Sequence, residues 1–196
     1  MPGWILPLGI AGVVIASFVG IYNGLVTARN RFKNAFAQID VQLKRRYDLI
    51  PGLLETAKAY LAHESETLEN VVAARNEAMA AAKAAGLNPG DPASMKALGS
   101  AEALLGGALG KLSVVMEAYP DLKGNETMEQ FMEELTSTEN RIAFSRQEFN
   151  DQIMRYNIAR EKFPNTIVAS MFNFVRADQL QIEFAEGGRE APKIAF

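Results

Sequence analysis

Two patterns of apolar residues divide the chain. From Ile5 to Val26 the residues are apolar almost without interruption, and no charged side chain occurs before Arg29. A helix of these 22 residues rises roughly 33 Å, enough to cross a hydrocarbon core of about 30 Å. This segment is therefore predicted to be a transmembrane helix.

A cleaved signal peptide and a buried core helix are the alternatives for this segment. A signal peptide begins with basic residues and has an apolar stretch of about 7 to 15 residues. Residues 1–4 carry no basic side chain, and the apolar run is longer than that. A core helix would have a polar face, which this run lacks. The anchor is the favoured interpretation.

Beyond Arg29 the apolar residues recur about every 3.6 positions in three blocks, the spacing of amphipathic helices. The first block continues the transmembrane segment without a helix breaker, so we predict one helix from Ile5 to Ala85. Pro51 lacks a backbone N–H and is predicted to kink this helix or, as a less favoured alternative, to break it. The predicted stripes, mainly of apolar or small residues, are Phe32, Phe36, Ile39, Leu43, Tyr47, Ile50, Leu54, Ala57, Leu61 and Leu68; then Met95, Leu98, Ala101, Leu105, Leu109, Leu112, Met116 and Tyr119; then Phe131, Leu135, Thr138, Ile142, Ser145, Phe149, Ile153, Tyr156, Arg160 and Phe163.

Residues that typically begin or end helices separate the blocks. Asp91 and Pro92 form a good N-cap and first-turn pair, Gly124-Asn125 begins the third block, and Pro164 ends it before a short apolar helix at 166–172. No strand pattern is long enough for a sheet. The predicted fold is all-α: an N-terminal transmembrane helix continuous with an antiparallel bundle of three long helices plus a short fourth. The predicted divisions are the anchor at 1–28, the bundle at 29–185 and a C-terminal tail at 186–196.

The charge distribution bears on membrane contact. The formal net charge is −3, yet residues 29–58 carry +4 and the remainder −7. An acidic chain without a recognisable binding module argues against nucleic acid as a partner. A basic collar of Arg29, Arg31 and Lys33 lies within about 15 Å of the anchor's end and is predicted to contact anionic lipid head groups. Arg45 and Arg46 are farther away and are expected to pair within the bundle.

The same charges predict orientation. Side-chain positive charge lies only on the C-terminal side of the anchor, so the bundle should be cytoplasmic and the N-terminus outside. Within the anchor, Gly12, Ala16, Gly20 and Gly24 recur every four residues. Such a ridge of small residues lets transmembrane helices approach closely. We therefore predict a homo-oligomer, the alternative being that these residues are simply common in such helices.

Candidate chemistry is sparse. The chain has no cysteine and one histidine, His63, whereas helical metal sites of the zincin or di-metal kind need at least two histidines. The acidic residues of the third block alternate with basic ones and are interpreted as i,i+3 and i,i+4 surface pairs. No catalytic residue, cofactor or metal ligand is predicted. Polar residues beside the stripes are interpreted as fixing helix register or as plain surface: Gln38, Asp40, Gln42, Arg46, Asn140, Asn150 and Asn157.

Several rare combinations resemble the LemA family over almost the whole chain. Tyr47 stands where many members have His, and Phe149 where Tyr is usual. The matching segments are Tyr22-Asn23-Gly24-Leu25-Val26, the run from Gln38 to Pro51, Tyr119-Pro120-Asp121-Leu122-Lys123, Glu139-Asn140-Arg141-Ile142-Ala143, Phe149-Asn150, Tyr156-Asn157, Phe163-Pro164 and Ala191-Pro192-Lys193-Ile194.

The resemblance implies a bacterial protein with a helical bundle on an N-terminal membrane anchor, and it supplies no catalytic residue or cofactor. The leading hypothesis is a non-enzymatic, single-pass inner-membrane protein that self-associates and organises or shapes the membrane. The alternative is an adaptor that delivers clients or signals to another membrane complex, such as a protease.

Overall fold

The computed structural model describes residues 4–61 and 63–182. The predicted tail at 186–196 and the last residues of the predicted bundle lie outside these ranges. Six helices make up the regular structure of the described residues: α1 (Ile5–Lys58), α2 (Ser65–Leu87), α3 (Pro92–Glu117), α4 (Pro120–Lys123), α5 (Glu126–Glu161) and α6 (Asn165–Met171). The chain is all-helical, as predicted.

The four long helices form an up-down-up-down bundle. Phe32 packs on Tyr156 while Arg45 pairs with Glu134, so α1 and α5 are antiparallel. The carbonyl of Tyr47 accepts a hydrogen bond from α2, and Arg46 pairs with Glu102, which places α2 and α3 against the same stretch of α1. Short connections between antiparallel neighbours are the usual way to build such a bundle.

The N-terminal apolar segment and the bundle share one uninterrupted helix. α1 contains residues 24–34 without a break, which confirms the predicted continuity. Packing begins inside the predicted anchor, since Leu25 is only 1% exposed. Helical backbone thus joins this segment directly to the bundle.

The predicted 81-residue helix is wrong beyond Lys58. The chain turns after this residue, with the N–H groups of Tyr60 and Leu61 bonded to the Ala57 carbonyl, and α2 starts at Ser65. An unbroken helix would leave the apolar face of its Ala-rich end in water. Folding back buries that face, on which Val71, Ala78, Ala82 and Ala85 lie, so the bundle has four long helices rather than three.

Pro51 lies inside the unbroken α1, and α2 supplies the hydrogen bond that proline cannot make. Proline has no N–H to donate to the Tyr47 carbonyl four residues earlier. The Nε of Arg75 donates to that oxygen at 2.7 Å. The carbonyl orphaned by proline is thus satisfied by a side chain of the neighbouring helix.

The core largely follows the predicted stripes, with exceptions on α1, on α5 and, at Glu102, on α3. On α1, Leu53 is fully buried where the prediction had Leu54. On α5, the predicted stripe ended at Phe163, but α5 ends at Glu161 and the Phe163 side chain is 82% exposed. Aromatic rings fill the centre, with Phe36 and Phe149 centroids 5.4 Å apart.

The predicted N-cap at Asp91 and the predicted helix start at Asn125 are confirmed. Asp91 accepts a hydrogen bond from the Ser94 N–H at 2.9 Å, and this bond lowers the pKa of the Asp91 carboxyl. Asn125 accepts from the Met128 N–H at 3.1 Å and begins α5. Both side chains satisfy N–H groups that a helix start leaves free.

Residues 176–182, here called the strap, run in extended form between α3 and α5. The side-chain amide of Asn157 donates to the Ala177 carbonyl at 2.8 Å and accepts from its N–H at 3.1 Å. Asn150 makes the same pair of bonds with Leu180, at 3.1 and 2.9 Å. Seven residues of helix and three residues of extended chain both span roughly 10 Å. The distance between Asn150 and Asn157 on α5 is therefore about the distance between Leu180 and Ala177 in the strap.

A glycine on α3 makes room for the strap. A Cβ at Gly99 would lie 2.0 Å from the carbonyl oxygen of Gln181. The backbones of α3 and the strap therefore approach each other closely at Gly99. By contrast, a Cβ at Gly107 or Gly110 would meet nothing within 4 Å.

Candidate functional site

The N-terminal half of α1 is an exposed apolar rod. Ile10, Val14 and Ile15 are each about 60% exposed, and this part of the helix is long and apolar enough to cross a membrane. α3 meets the same length and composition test, but it carries the buried Glu102 and packs inside the bundle. α3 is therefore a core helix, and α1 is the candidate span.

The predicted ridge lies on the free side of α1. A Cβ at Gly12, Gly20 or Gly24 would meet nothing within 4 Å, and Ala16 is exposed. On the opposite side of the helix, two positions away along the chain and therefore about 200° around the axis, Phe172 covers Phe18 and Tyr22, whereas Val14 is 60% exposed. The structure brings the four small residues together on an open face.

The three residues of the predicted collar do not share one environment. The guanidinium of Arg29 lies 4.9 Å from the ring centroid of Phe174, within cation–π distance, and its side chain is partly buried. Arg31 and Lys33 are exposed. Two of the three charges are therefore free to meet lipid head groups, while Arg29 also ties α1 to the segment after α6.

A cluster of charged and polar side chains lies in the bundle core; we call Arg46, Tyr47, Glu102 and Glu139 the ion-pair cluster. Arg46 is 5% exposed and its Nη1 lies 2.9 Å from Glu102 Oε2 and 3.1 Å from Glu139 Oε2. Glu102 is 1% exposed, whereas the Glu139 side chain is 45% exposed. Arg46 thus bridges a buried and a half-exposed carboxylate, joining α1, α3 and α5.

Tyr47 completes the ion-pair cluster. Its hydroxyl lies within hydrogen-bonding reach of Glu102 Oε1 and 3.3 Å from the carbonyl oxygen of Ala78. The hydroxyl has one proton and can donate it to one of these oxygens at a time. Burial, reinforced by the negative charge of Glu102, raises the pKa of Tyr47 far above its usual range, so the hydroxyl stays protonated.

Burial also raises the pKa of the Glu102 carboxyl above its ordinary value, although Arg46 and Tyr47 each lower it. A buried carboxylate is stable only while it is paired and hydrogen-bonded. The geometry of the ion-pair cluster is suited to fixing the register of α1, α3 and α5 relative to one another. This confirms that Arg46 pairs within the bundle, and it corrects the prediction of pairs along one helix, because the salt bridges among the described residues join different helices.

A cleft of about 290 Å³ opens beside the ion-pair cluster. Arg46 and Glu139 lie at one end, and the remaining lining is mainly apolar, from Leu53, Leu109 and Met132 among others. Among residues 4–61 and 63–182 no group of three or more His, Asp or Glu side chains could hold a metal ion. His63 is exposed in the turn between α1 and α2.

Glu102 is the functional residue that the sequence analysis missed. The stripe was assigned to Ala101, which is also buried. A heptad register was available, since positions 95, 98, 102, 105, 109, 112 and 116 are spaced alternately three and four apart, with Glu102 the one charged residue among them. An acid inside an apolar heptad indicates a buried partner of opposite charge.

Comparison with known proteins identifies the family. The model of the LemA family matches residues 35–196, which is most of the chain. The chain belongs to the LemA family. The matched region begins on α1 beyond the candidate span and includes the ion-pair cluster and the strap.

Curated relatives share 28% identity with this LemA-family chain. Magnetosome protein MamQ of Magnetospirillum gryphiswaldense aligns over 172 residues, which is 80% of this chain and 63% of the relative. Magnetosome proteins MamQ 2 and MamQ 1 of Paramagnetospirillum magneticum align over 182 residues, 85% of this chain and 67% of each relative. The chain thus spans about two thirds of the length of these relatives. Neither the family nor these relatives are known as enzymes.

Proposed function

We propose that this LemA-family protein is a non-enzymatic, single-pass protein of the bacterial inner membrane that self-associates and organises or shapes the membrane. The observation that carries the proposal is the unbroken α1, which continues from the apolar rod into the core of the bundle. With Leu25 already buried, no flexible joint separates anchor from bundle. A force on the bundle is therefore transmitted to the membrane, and a force on the membrane is transmitted to the bundle.

Three further features support this proposal. Arg29, Arg31 and Lys33 follow the span directly, which favours a cytoplasmic bundle and contact with anionic lipid. The ridge of Gly12, Ala16, Gly20 and Gly24 is open for close approach of a second copy. The relatives are named magnetosome proteins, and a role at a membrane is the part of their similarity that we extend to this chain.

The test of self-association is a double substitution in the anchor of the full chain. Gly12→Leu with Gly20→Leu fills the ridge while keeping the segment apolar. The wild type is expected to be an oligomer in mild detergent, and the double variant is expected to be a monomer by light scattering coupled to size-exclusion chromatography.

A matched control adds side-chain volume elsewhere on the same helix. Ala11→Leu with Val14→Leu lies on the side of the helix that faces away from the ridge, about 160° and 140° from its centre, and should keep the wild-type size. Reconstituted vesicles imaged with wild type and double variant then test shaping of the membrane. Assembly through the anchor would be contradicted if the Gly12→Leu and Gly20→Leu protein kept the oligomeric size of the wild type, or if the wild type were a monomer.

A further inference from the structure

The segment from Phe163 to Val175, here called the foot, carries an exposed apolar surface. It contains no charged side chain over 13 residues, and only the N-terminal segment is free of charge for longer. The exposed fractions are 82% for Phe163, 69% for Met171, 67% for Val175, 53% for Ile167 and 47% for Phe172. Exposed apolar patches of this kind mark contact with a partner or a membrane.

The foot lies beside the candidate span rather than beside the distal bundle. The ring of Phe172 packs on Tyr22 with centroids 4.8 Å apart and on Phe18 at 5.9 Å. Phe174 packs on Tyr22 at 5.7 Å. Phe18 lies about eight residues, or roughly 12 Å of helix, below Val26 at the end of the apolar run. The foot therefore lies at a depth that the bilayer would occupy around α1.

The bundle holds the foot in place and presents its apolar side outward. Val168 and Ala169 are the buried residues of α6, and the side-chain amide of Asn165 donates to the Ala159 carbonyl at 2.9 Å. The hydroxyl of Ser170 donates to the Ile167 carbonyl at 2.9 Å, which satisfies a polar group that lipid could not. The apolar surface is a rigid feature of the fold.

Charged residues border the foot on both sides. Lys162 precedes it and Arg176 follows it, and both side chains are exposed. Arg29 lies over Phe174 at the same end of the bundle. Apolar residues flanked by Lys and Arg are the arrangement of segments that lie in a membrane interface, with long basic side chains reaching the head groups.

We propose that the foot inserts into the cytoplasmic leaflet of the membrane that α1 crosses, so that the bundle is attached at two adjacent points. The occupant of the apolar surface is the interfacial and acyl-chain region of the lipid, continuous with the lipid around Phe18 and Tyr22. A foot present in one leaflet adds volume to that leaflet alone and fixes the tilt of the bundle. The inference rests on the proposed membrane span of α1 and is independent of self-association.

Spin labels at single cysteines test this in the full chain. The chain contains no native cysteine, so one label can be placed at Met171→Cys in the foot, Val114→Cys on α3 at the distal end, or Val14→Cys in the anchor. The native side chains at Met171 and Val114 are 69% and 68% exposed, which makes them a matched pair at opposite ends of the bundle. Each variant is reconstituted into vesicles of phosphatidylglycerol and phosphatidylethanolamine.

The readout is accessibility of the label to oxygen, which concentrates in acyl chains, and to a water-soluble nickel chelate. The Met171→Cys label should resemble the Val14→Cys label, with a high ratio of oxygen to nickel accessibility, and Val114→Cys should show the reverse. Nickel accessibility equal to that of Val114→Cys would overturn the proposal. Ile167→Cys repeats the measurement at a second exposed position, and circular dichroism checks that each variant keeps its helix content.

A second copy covering the foot would protect the label from both reagents and would depend on assembly. Repeating the measurement with Gly12→Leu and Gly20→Leu added distinguishes this from lipid. Lipid contact predicts an unchanged oxygen-to-nickel ratio in that background, whereas protection from both reagents that is lost in it would overturn the proposal. If these substitutions make the protein a monomer and the oxygen-to-nickel ratio is unchanged, the result supports insertion of the foot. If the oligomer keeps its size, the result contradicts only the proposed assembly through the anchor.

Discussion

The ion-pair cluster and the strap contacts are two polar regions inside one bundle, and they use different chemistry. The first buries a full charge on Glu102, which is 1% exposed, against Arg46. The second uses the uncharged amides of Asn150 and Asn157, each bonded to both polar groups of one strap residue. The first joins regular helices, whereas the second satisfies a segment that has no secondary structure of its own.

The difference shows what each chemistry provides. A buried ion pair contributes little net stability, because desolvation offsets the attraction, but leaving one charge alone is costly. It penalises any packing in which Arg46 does not meet Glu102, and so selects one register. An asparagine amide carries an NH2 donor group and a C=O acceptor side by side, which complement the C=O and the N–H of one backbone residue. It can hold extended backbone without charge and without sensitivity to pH.

The largest expected effect follows from removing one half of the ion pair. Arg46→Met should lower the free energy of unfolding by about 3–5 kcal/mol, because the Glu102 carboxylate is left buried without its cation. For a chain of this size, that corresponds to a melting temperature roughly 10 °C lower. The measurement is thermal unfolding of the full chain in mild detergent, followed by circular dichroism.

Two variants separate the buried charge from packing. Arg45→Met removes a neighbouring arginine whose pair with Glu134 is half exposed on both sides, and it should cost less than about 1 kcal/mol. Arg46→Met combined with Glu102→Leu should recover most of the loss, since Tyr47 can still donate to Ala78. Equal losses for Arg45→Met and Arg46→Met would argue against the role assigned to the buried charge.

A smaller loss is expected at the strap. Asn157→Ala removes two hydrogen bonds and leaves the N–H and C=O of the buried Ala177 without partners, at a cost of about 2 kcal/mol. Amide hydrogen exchange should accelerate in the strap more than in α1. Asn140→Ala, at an exposed asparagine on the same helix, is the control. An Asn157→Ala protein with wild-type exchange at Ala177 would show that the amide does not hold the strap.

Periodicity alone predicted much of this architecture. The 3.6-residue stripes located most of the buried residues of α1, α3 and α5, and Asp91 and Asn125 were predictable as helix starts because capping chemistry is local. The uninterrupted passage from anchor to bundle followed from the absence of proline and the presence of a single glycine between Tyr22 and Arg31. These features depend on neighbours a few residues away.

Features that depend on distant residues were not predictable in the same way. The turn after Lys58 occurs because the Ala-rich face needs a partner, which periodicity cannot supply. The partner of Arg46 lies 56 positions away, and the heptad position of Glu102 signals a buried acid without naming its cation. The foot was recognised as a short apolar helix, but its contact with Phe18 and Tyr22 arises only when α5 runs back to the anchor.

Acidification should reduce the difference in free energy of unfolding between the Arg46→Met variant and the wild type. In the wild type, burial raises the pKa of Glu102 while Arg46 lowers it, so losing Arg46 raises that pKa further. A carboxyl whose folded pKa is raised binds its proton more tightly in the folded state, and this stabilisation is present at low pH and lost as pH rises through the folded pKa. Each additional pKa unit is worth about 1.4 kcal/mol. Thermal unfolding is measured from pH 7 down toward the ordinary Glu pKa of 4.5, and the difference in melting temperature between the two proteins should decrease. A constant difference would contradict a buried charge on Glu102.

The last and smallest effect concerns the proline in α1 and tests whether Arg75 serves the carbonyl that Pro51 leaves free. Arg75→Met should cost about 1–2 kcal/mol, because the Tyr47 carbonyl loses its donor at 2.7 Å. In a Pro51→Ala background, the new N–H at position 51 can bond that carbonyl, and Arg75→Met should then cost close to nothing. The double-mutant cycle isolates a coupling of about 1 kcal/mol, measured by thermal unfolding of the four proteins. Additive losses would mean that Arg75 stabilises α1 through packing of its stem, with no link to the missing N–H of Pro51.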